Sequence, residues 1–160
     1  MNKDLVKNLG FRTLGTRLKR IADKMSHSAR DMYKKLGMDI EPNWYLVLTL
    51  VKENDAVSIV EIARYLGFAH QSIVSMTNKM IKRGYLLSSK DENDLRRTVV
   101  RLTPKSEEIL PEIEKIWNYG EEVIAELLDN NQELLKHLDV MEHRLNESSF
   151  GERILDKLQK

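Results

Sequence analysis

The most informative part of the chain is residues 58–110, which read SIVEIARYLGFAHQSIVSMTNKMIKRGYLLSSKDENDLRRTVVRLTPKSEEIL. Ser58 and Glu61 form the S-x-x-E pattern of a capping box, which predicts a short helix over about 59–66 that ends at a glycine. Apolar residues at helical spacing predict a second helix over about 70–83. Two short helices joined by a tight, glycine-containing turn are typical of a helix-turn-helix unit.

A charged hairpin is predicted directly after these two helices. Residues 85–88 and 98–102 have the apolar composition of short strands, and the connection 89–97 between them is polar and charged. A charged hairpin that follows a helix-turn-helix is typical of a wing. We therefore predict a mainly α-helical fold with a small β-hairpin wing, in which a winged helix-turn-helix lobe covers about residues 40–103.

The second helix of this unit carries side chains suited to reading DNA. Gln and Asn form paired hydrogen bonds with adenine, Ser is adaptable, and Lys contacts phosphates. On the face away from the apolar positions lie the candidate DNA-binding residues His70, Gln71, Ser72, Ser75, Asn78, Lys79 and Lys82. The alternative is an ordinary solvated helix face, and the hairpin that follows favours DNA binding over it.

The predicted wing supplies a second set of candidates, which are Lys90, Asp94, Arg96 and Arg97. Either Arg96 or Arg97 could reach into the minor groove, where a narrow A·T-rich tract concentrates negative potential. Asp94 repels phosphate, so its expected role is to hold an arginine side chain or the hairpin turn in shape. The alternative for Asp94 is a surface ion pair that contributes little to stability.

Further helices are predicted on both sides of the hairpin and its two helices. A long helix over about 5–36 comes first, and a nearly apolar helix over about 43–53 should lie buried at the centre of the fold. After the hairpin, a helix that begins at Pro104 should kink at Pro111 because proline lacks the N–H group that the preceding turn needs. A last helical segment follows a predicted break at 129–131.

The two ends of the chain carry more apolar surface than the lobe needs for its own core. We expect residues 1–37 and 104–160 to supply dimerisation helices, with residues 1–160 forming a single domain. Residues 1–37 carry ten Lys/Arg against three Asp/Glu, and residues 104–160 carry seven against fourteen. Residues 56–103 carry eight against four, which suits contact with phosphates. Solvated helix faces explain the terminal charges equally well.

One pattern across the wing resembles a known family. Asp94, Arg96, Leu102 and Thr103 form a D-x-R-x-x-x-x-x-L-T pattern, and Lys82-Arg83-Gly84-Tyr85 precedes it at a suitable distance. This combination resembles the MarR family of winged helix-turn-helix transcriptional regulators. The flanking helices fit the same family in order and length, so the resemblance extends over essentially the whole chain.

The resemblance implies a homodimer that binds a palindromic operator in double-stranded DNA, acting as a repressor that a small aromatic or phenolic ligand releases. It also implies that Arg96 enters the minor groove and that Asp94 braces the wing. Ala69 departs from the family pattern, in which a Ser or Thr often caps the recognition helix at this position. The chain has no cysteine, which excludes the peroxide-sensing branch, whose switch is a thiol.

A ligand pocket, if one exists, should lie near the first two predicted helices. The candidate lining residues are Met25, His27, Met32, Trp44 and Tyr45. The alternative is that Trp44 and Tyr45 are simply aromatic residues of the core, and we favour it.

Other classes of protein fit the sequence less well. Asp139 and His143 share a helix face, but two ligands are too few for a metal site, so no metal or other cofactor is expected. The chain lacks a glycine-rich phosphate loop and a nucleophile elbow, and an enzyme is therefore not expected.

The chain also lacks a signal-peptide core and an apolar run of ~20 residues, so we expect a cytoplasmic protein without membrane contact. A winged-helix protein-interaction module without DNA affinity and a metal-responsive regulator remain as alternatives.

Overall fold

The computed structural model describes residues 4–91 and 94–159 of the 160-residue chain. Its helices and strands, in chain order, are α1 (Leu5–Asn8), a 3-10 turn (Gly10–Thr13), α2 (Leu14–Lys35), α3 (Trp44–Asn54), β1 (Val57–Ser58), α4 (Ile59–Leu66), α5 (His70–Lys82), β2 (Leu86–Lys90), β3 (Thr98–Leu102), α6 (Pro104–Leu127), α7 (Glu133–Glu147) and α8 (Phe150–Leu158). The predicted fold class, mainly helical with a small wing, is confirmed.

Helices α4 and α5 form the predicted helix-turn-helix. α4 begins at a complete capping box, in which the Glu61 amide donates to Ser58 Oγ (3.2 Å) and the Ser58 amide donates to the Glu61 carboxylate (3.0 Å). It ends at Gly67, whose φ of 65° is a left-handed conformation that glycine adopts without steric cost. Both ends of α4 therefore lie where its caps predict, and α5 ends at Lys82, one residue before its predicted end.

The wing hairpin, β2 and β3, belongs to a three-stranded antiparallel sheet in the order β1-β3-β2. Leu86 lies opposite Leu102 and Lys90 lies opposite Thr98, so β2 extends two residues further than predicted. The third strand, β1, was not predicted from the sequence. Its two residues pair with Val100 and Val99 of β3, and a strand this short is too brief to display the alternation that identifies strands.

The core of the lobe forms around α3, as its nearly apolar sequence predicts. Val47, Leu48 and Val51 are fully buried there, and the Trp44 ring meets the Tyr85 ring edge-on with 5.2 Å between centroids. Around α3 are packed buried residues from the other elements of the lobe, namely Ile62, Ile73, Thr77, Met80, Leu86 and Val100. This core holds α4, α5 and the sheet together, and it thereby positions the face of α5 that is predicted to read DNA.

The prediction of one continuous helix over residues 5–36 is wrong. Asp4 caps the short helix α1, the 3-10 turn follows, and α2 begins only at Leu14. The interruption occurs at Gly10, whose φ of 55° lies outside the right-handed helical region. The Asp4 carboxylate, 2.9 Å from Arg20, links the start of the chain to α2.

The last helical segment is divided into two helices. α6 ends at a turn in which Asp129 and Asn130 have positive φ, so the predicted break at 129–131 is confirmed. The apolar positions that follow do not form one helix, because α7 ends at Glu147 and α8 starts from a second capping box between Ser149 and Glu152.

The chain separates into two compact units, residues up to Pro111 and residues from Glu112 onward. The assignment of residues 1–37 and 104–160 to dimerisation stays a prediction. None of the helices in the two described ranges is long and apolar enough to cross a bilayer.

Candidate DNA-binding surface

The recognition helix α5 turns its predicted DNA-reading face to solvent. Ile73, Thr77 and Met80 anchor the opposite face in the core. The exposed side chains of α5 include all seven candidates, namely His70, Gln71, Ser72, Ser75, Asn78, Lys79 and Lys82. At the start of the helix Ala69 provides no side-chain cap, as its sequence predicts, and its carbonyl accepts from the amides of Ser72 and Ile73.

Asp94 organises a tight turn over residues 94–97 of the wing. The Asp94 carboxylate accepts a hydrogen bond from the Arg96 amide (3.0 Å), and the Asp94 carbonyl accepts one from the Arg97 amide (2.8 Å). The Asp91 amide in turn donates to the Arg97 carbonyl (3.0 Å). Of the two roles expected for Asp94, the geometry favours bracing the backbone of the turn over holding an arginine side chain.

The two neighbouring wing arginines have different surroundings. Arg96 is exposed, and its guanidinium forms no ion pair with any residue in the described ranges. Arg97 Nη2 lies 2.8 Å from Glu61 Oε1 and also donates to Ser58 Oγ at 3.2 Å. Hydrogen bonds from Ser58 and from Arg97 lower the pKa of Glu61 to about 2. Lys90, the remaining wing candidate, is exposed at the end of β2.

A group of charged side chains anchors the end of α5 to the segment before α3. Arg83 contacts Asp39 (2.9 Å) and Glu41 (3.3 Å), and its guanidinium lies 5.1 Å from the centre of the Trp44 ring. Glu41 also accepts from Arg30 of α2 at 3.0 Å. Partial burial raises the pKa of Glu41, but the two arginines outweigh it and hold that pKa below its usual value.

Two buried hydroxyls link the end of α5 to the start of α6. Thr103 Oγ1 donates to the Gly84 carbonyl (2.7 Å), and Ser106 Oγ donates to the Tyr85 carbonyl (2.6 Å). The Ser106 amide donates to Thr103 Oγ1 (3.1 Å), which caps the first turn of α6. The Thr of the L-T pattern therefore has a structural task, because it satisfies backbone groups at the junction of recognition helix, wing and α6.

Comparison with known proteins agrees with this geometry. The MarR family model matches residues 38–97, which contain α3, the helix-turn-helix and the tip of the wing. Residues 38–97 are therefore a MarR-type segment, and β3 of the wing follows directly after it. This confirms the family that the wing pattern and the recognition helix predict.

Individual relatives of the MarR-type lobe are regulators. The chain is 35% identical over 81 residues to the HTH-type transcriptional regulator Hpr of Bacillus cytotoxicus, covering 50% of this chain and 43% of that protein. It is 29% identical over 113 residues to Hpr of Bacillus licheniformis, covering 66% of this chain and 54% of that protein. The chain thus spans about half the length of these relatives, and they are transcriptional regulators rather than enzymes.

Solved structures resemble a larger part of the chain. The transcriptional repressor CouR, bound to a 23-mer DNA duplex, is 27% identical with a TM-score of 0.66, over 80% of this chain and 91% of that one. A mutant MarR from E. coli complexed with operator DNA is 19% identical with a TM-score of 0.65, over 89% and 99%, and shares the fold. Together with the MarR family match, these findings support a DNA-binding transcriptional regulator.

The five candidate ligand residues do not line one cavity of the MarR-type unit. His27 and Met32 border a groove along α2, while Trp44 borders a separate cleft of about 710 Å³. Met25 and Tyr45 are not among the described residues that line either cavity. Trp44 is 1% exposed and packs on Tyr85, as expected of a core aromatic residue.

The separate cleft was not predicted from the sequence. It is lined by residues of α2, of the segment before α3, of the start of α3 and of α5, namely Ser26, Arg30, Glu41, Pro42, Asn43, Trp44, Gln71, Ser72, Ser75, Met76 and Lys79. Four of the predicted DNA-reading residues therefore also border this cleft. His143 Nε2 lies 3.4 Å from Glu147 Oε1, and no group of three possible metal ligands occurs within the described residues.

The ion pairs around Arg83 and Arg97 were also missed. Arg83 and Glu41 are 42 residues apart, and Arg97 and Ser58 are 39 apart, so no local spacing relates them. The Arg83-Gly84-Tyr85 motif, whose arginine directly follows the recognition helix, is a sequence signal for the contacts of Arg83 but not for those of Arg97.

Proposed function

We propose that the chain is a transcriptional repressor that binds a palindromic operator in duplex DNA as a homodimer, in the cytoplasm, where bacterial promoter DNA lies. The observation that carries the proposal is the exposed face of α5, whose Gln71, Asn78 and Lys79 stand on a MarR-type lobe beside an exposed wing cation, Arg96. The likeness to CouR, a repressor bound to duplex DNA, supports it.

Each part of this surface has a distinct task in the proposed complex. Gln71 and Asn78 meet base edges in the major groove, where amide side chains pair with adenine. Lys79 and Lys82 neutralise phosphates, which fixes the register of the helix on the duplex. Arg96 enters the flanking minor groove, and Asp94 holds the turn that presents it. A dimer would set two such lobes about one helical turn, ~34 Å, apart.

Exposed apolar residues near both ends of the chain support the homodimer. Phe11 is 97% exposed and Phe150 is 71% exposed, and Leu127 and Leu158 are similarly accessible. Monomeric proteins seldom leave so many large apolar side chains in water, because burying each one contributes ~1.5–3 kcal/mol. A second copy of the chain is the occupant that the family resemblance implies for these faces.

A small aromatic or phenolic anion is the effector that we propose, and the cleft of about 710 Å³ is its site. Lys79 supplies positive charge at its border, where Arg30 is paired with the Glu41 carboxylate, and the hydroxyls of Ser72 and Ser75 supply hydrogen bonds. Because these side chains of α5 would also meet DNA, an anion in the cleft and an operator would compete for them. Each would then weaken the other by the same factor.

Fluorescence anisotropy tests the proposal directly. The protein is titrated against its own upstream promoter DNA and against a scrambled duplex, each at two salt concentrations. We expect tight, sequence-selective binding that weakens steeply with salt, since released counterions dominate such complexes. A folded dimer that binds neither duplex would contradict the proposal and favour a protein-interaction module. Addition of 4-hydroxybenzoate then tests the effector, with weakened binding as the expected result.

A further inference from the structure

An ion pair connects the wing to the first helix of the helix-turn-helix. Arg97 Nη2 lies 2.8 Å from Glu61 Oε1, although the two residues belong to the wing and to α4. The same nitrogen donates to Ser58 Oγ at 3.2 Å. The side chains of Arg97 and Glu61 are 44% and 35% exposed, so the contact is partly shielded from solvent.

The Glu61 carboxylate is fixed in place independently of Arg97. Its Oε2 accepts from the Ser58 amide (3.0 Å) and from the Ser58 hydroxyl (2.7 Å), which closes the capping box of α4. Its other oxygen, Oε1, is the one that faces Arg97. Because one oxygen is tied to the start of α4, the carboxylate presents a preorganised acceptor to the wing.

The backbone of Arg97 is equally constrained, because Arg97 closes the turn at the wing tip. Its amide donates to the Asp94 carbonyl (2.8 Å), and its carbonyl accepts from the Asp91 amide (3.0 Å). The neighbouring strand residue Val99 pairs with Ser58 of β1, so the base of the wing meets the same cap. Holding the Arg97 side chain therefore also holds the backbone from which Arg96 projects.

We propose that Arg97 is a positioning residue for DNA binding. Clamped by Glu61, it fixes the wing tip so that Arg96 points to the minor groove, and it does not itself neutralise a phosphate. This inference rests on the proposed function and replaces the expectation that Arg97 contacts DNA. A guanidinium that is hydrogen-bonded to a carboxylate would have to give up that pair to bind phosphate, whereas Arg96 has no ion pair to break within the described ranges.

The test uses Glu61→Gln, because Gln retains the capping-box hydrogen bond and removes only the charge that faces Arg97. Its matched control is Glu53→Gln, which removes the same charge from an exposed position on α3. Glu61→Gln and Arg97→Ala should each weaken operator binding about five- to tenfold, and the double variant should be no weaker than either single one. Glu53→Gln should leave binding unchanged or slightly tighter.

The salt dependence of binding separates positioning from phosphate contact. Each lost phosphate contact reduces the slope of log K against log[salt] by about 0.9. A loosened wing tip can still dock Arg96 in the complex, but at an entropic cost. We therefore expect Glu61→Gln and Arg97→Ala to weaken binding and keep the wild-type slope, and Arg96→Ala to reduce the slope. A reduced slope for Arg97→Ala would overturn the proposal. Tighter binding by Glu61→Gln would also overturn it, because a released Arg97 would then be reaching DNA.

Hydrogen exchange in the DNA-free protein tests whether Glu61 holds Arg97, and it does so independently of whether the protein binds DNA. The Arg97 amide, which donates to Asp94, should exchange faster in Glu61→Gln than in wild type or in Glu53→Gln. Unchanged exchange would overturn the clamp whether or not the protein binds DNA. Faster exchange in a protein that binds no duplex would support the clamp and overturn only its proposed role in DNA binding.

Discussion

The winged lobe and the C-terminal helices use apolar residues in opposite ways. The lobe buries them, so that Val47, Leu48 and Ile62 are inaccessible to solvent. From residue 114 to residue 159 none of the described side chains is buried, and Leu155 and Leu158 of α8 are 57% and 76% exposed. Burial of apolar side chains within the lobe therefore stabilises its fold. The C-terminal helices instead expose apolar side chains that a second chain could cover.

The largest effect should come from a cavity in the lobe. Leu48→Ala removes a fully buried side chain from α3, and we expect it to lower the free energy of unfolding by ~2–5 kcal/mol. Urea denaturation followed by circular dichroism measures this loss, which should appear at every protein concentration.

The matched change in the other region is Leu155→Ala, which truncates an exposed leucine of α8. Its effect should appear only at low protein concentration, because it weakens association rather than the core of a single chain. A loss of stability equal to that of Leu48→Ala at all concentrations would mean that the two regions do not differ in this way.

The next largest effect should be a loss of operator affinity, caused by a change on the exposed face of the lobe. Arg96→Ala should cost ~1–3 kcal/mol of operator affinity and leave the dimer intact, because the side chain projects from a turn that Asp94 braces through backbone groups. Anisotropy titration measures the affinity, and sedimentation measures the dimer. Unchanged affinity in a folded dimer would remove Arg96 from the DNA-binding surface.

A smaller effect should follow from loss of the base-reading amides. Gln71→Ala and Asn78→Ala should each reduce discrimination between operator and random duplex by about 1 kcal/mol, because an alanine cannot form the paired hydrogen bonds with adenine. Non-specific affinity should change less, since the lysines remain. Equal losses on both duplexes would show that these two residues contact the phosphate backbone instead.

The smallest effect compares the two capping boxes, one in each region. The pKa of Glu61 is lowered to about 2, chiefly by hydrogen bonds from Ser58 and then by Arg97. A carboxylate whose pKa is depressed on folding stabilises the protein above its unfolded pKa, ~4.3, and this contribution is lost as the pH falls toward 2. Glu61→Gln should therefore make stability less dependent on pH between about 4.5 and 2.

The corresponding change at the other box is the control. The pKa of Glu152 is also lowered, first by its hydrogen bonds to Ser149, but no arginine is among the causes. Glu152→Gln should flatten the acid dependence of stability less than Glu61→Gln does, as measured by urea denaturation at several pH values. If Glu152→Gln reduced the pH dependence of stability more than Glu61→Gln does, that dependence would arise mainly in the C-terminal helices.

Local patterns in the sequence predicted most of the lobe, because the features that fix its elements lie within a few residues of one another. The Ser58–Glu61 box and Gly67 define α4 to the residue. The same reasoning was available at Ser149 and Glu152, where an identical S-x-x-E pattern separates α8 from α7, and at Gly10, where the first helix breaks. Apolar residues continue at helical spacing across both breaks, so spacing alone predicts helices that are too long.

The rest of the candidate site depends on contacts between distant parts of the chain. Arg96 and Arg97 are identical in type and adjacent, so nothing in the sequence indicates which of the two Glu61 holds. Burial of Trp44 was expected, but the cleft at its edge requires the relative placement of α2 and α5. Helix spacing does not encode that placement.

The hydroxyls of Thr103 and Ser106 have a mechanical consequence. These hydroxyls donate hydrogen bonds to the carbonyls of Gly84 and Tyr85. The residues that follow the recognition helix are therefore fixed to the first turn of α6. We therefore expect a displacement of the first turn of α6 to move residues 84 and 85, which follow the recognition helix. A movement of the order of an ångström at these residues would be enough to shift side chains of α5 out of hydrogen-bonding range of a base.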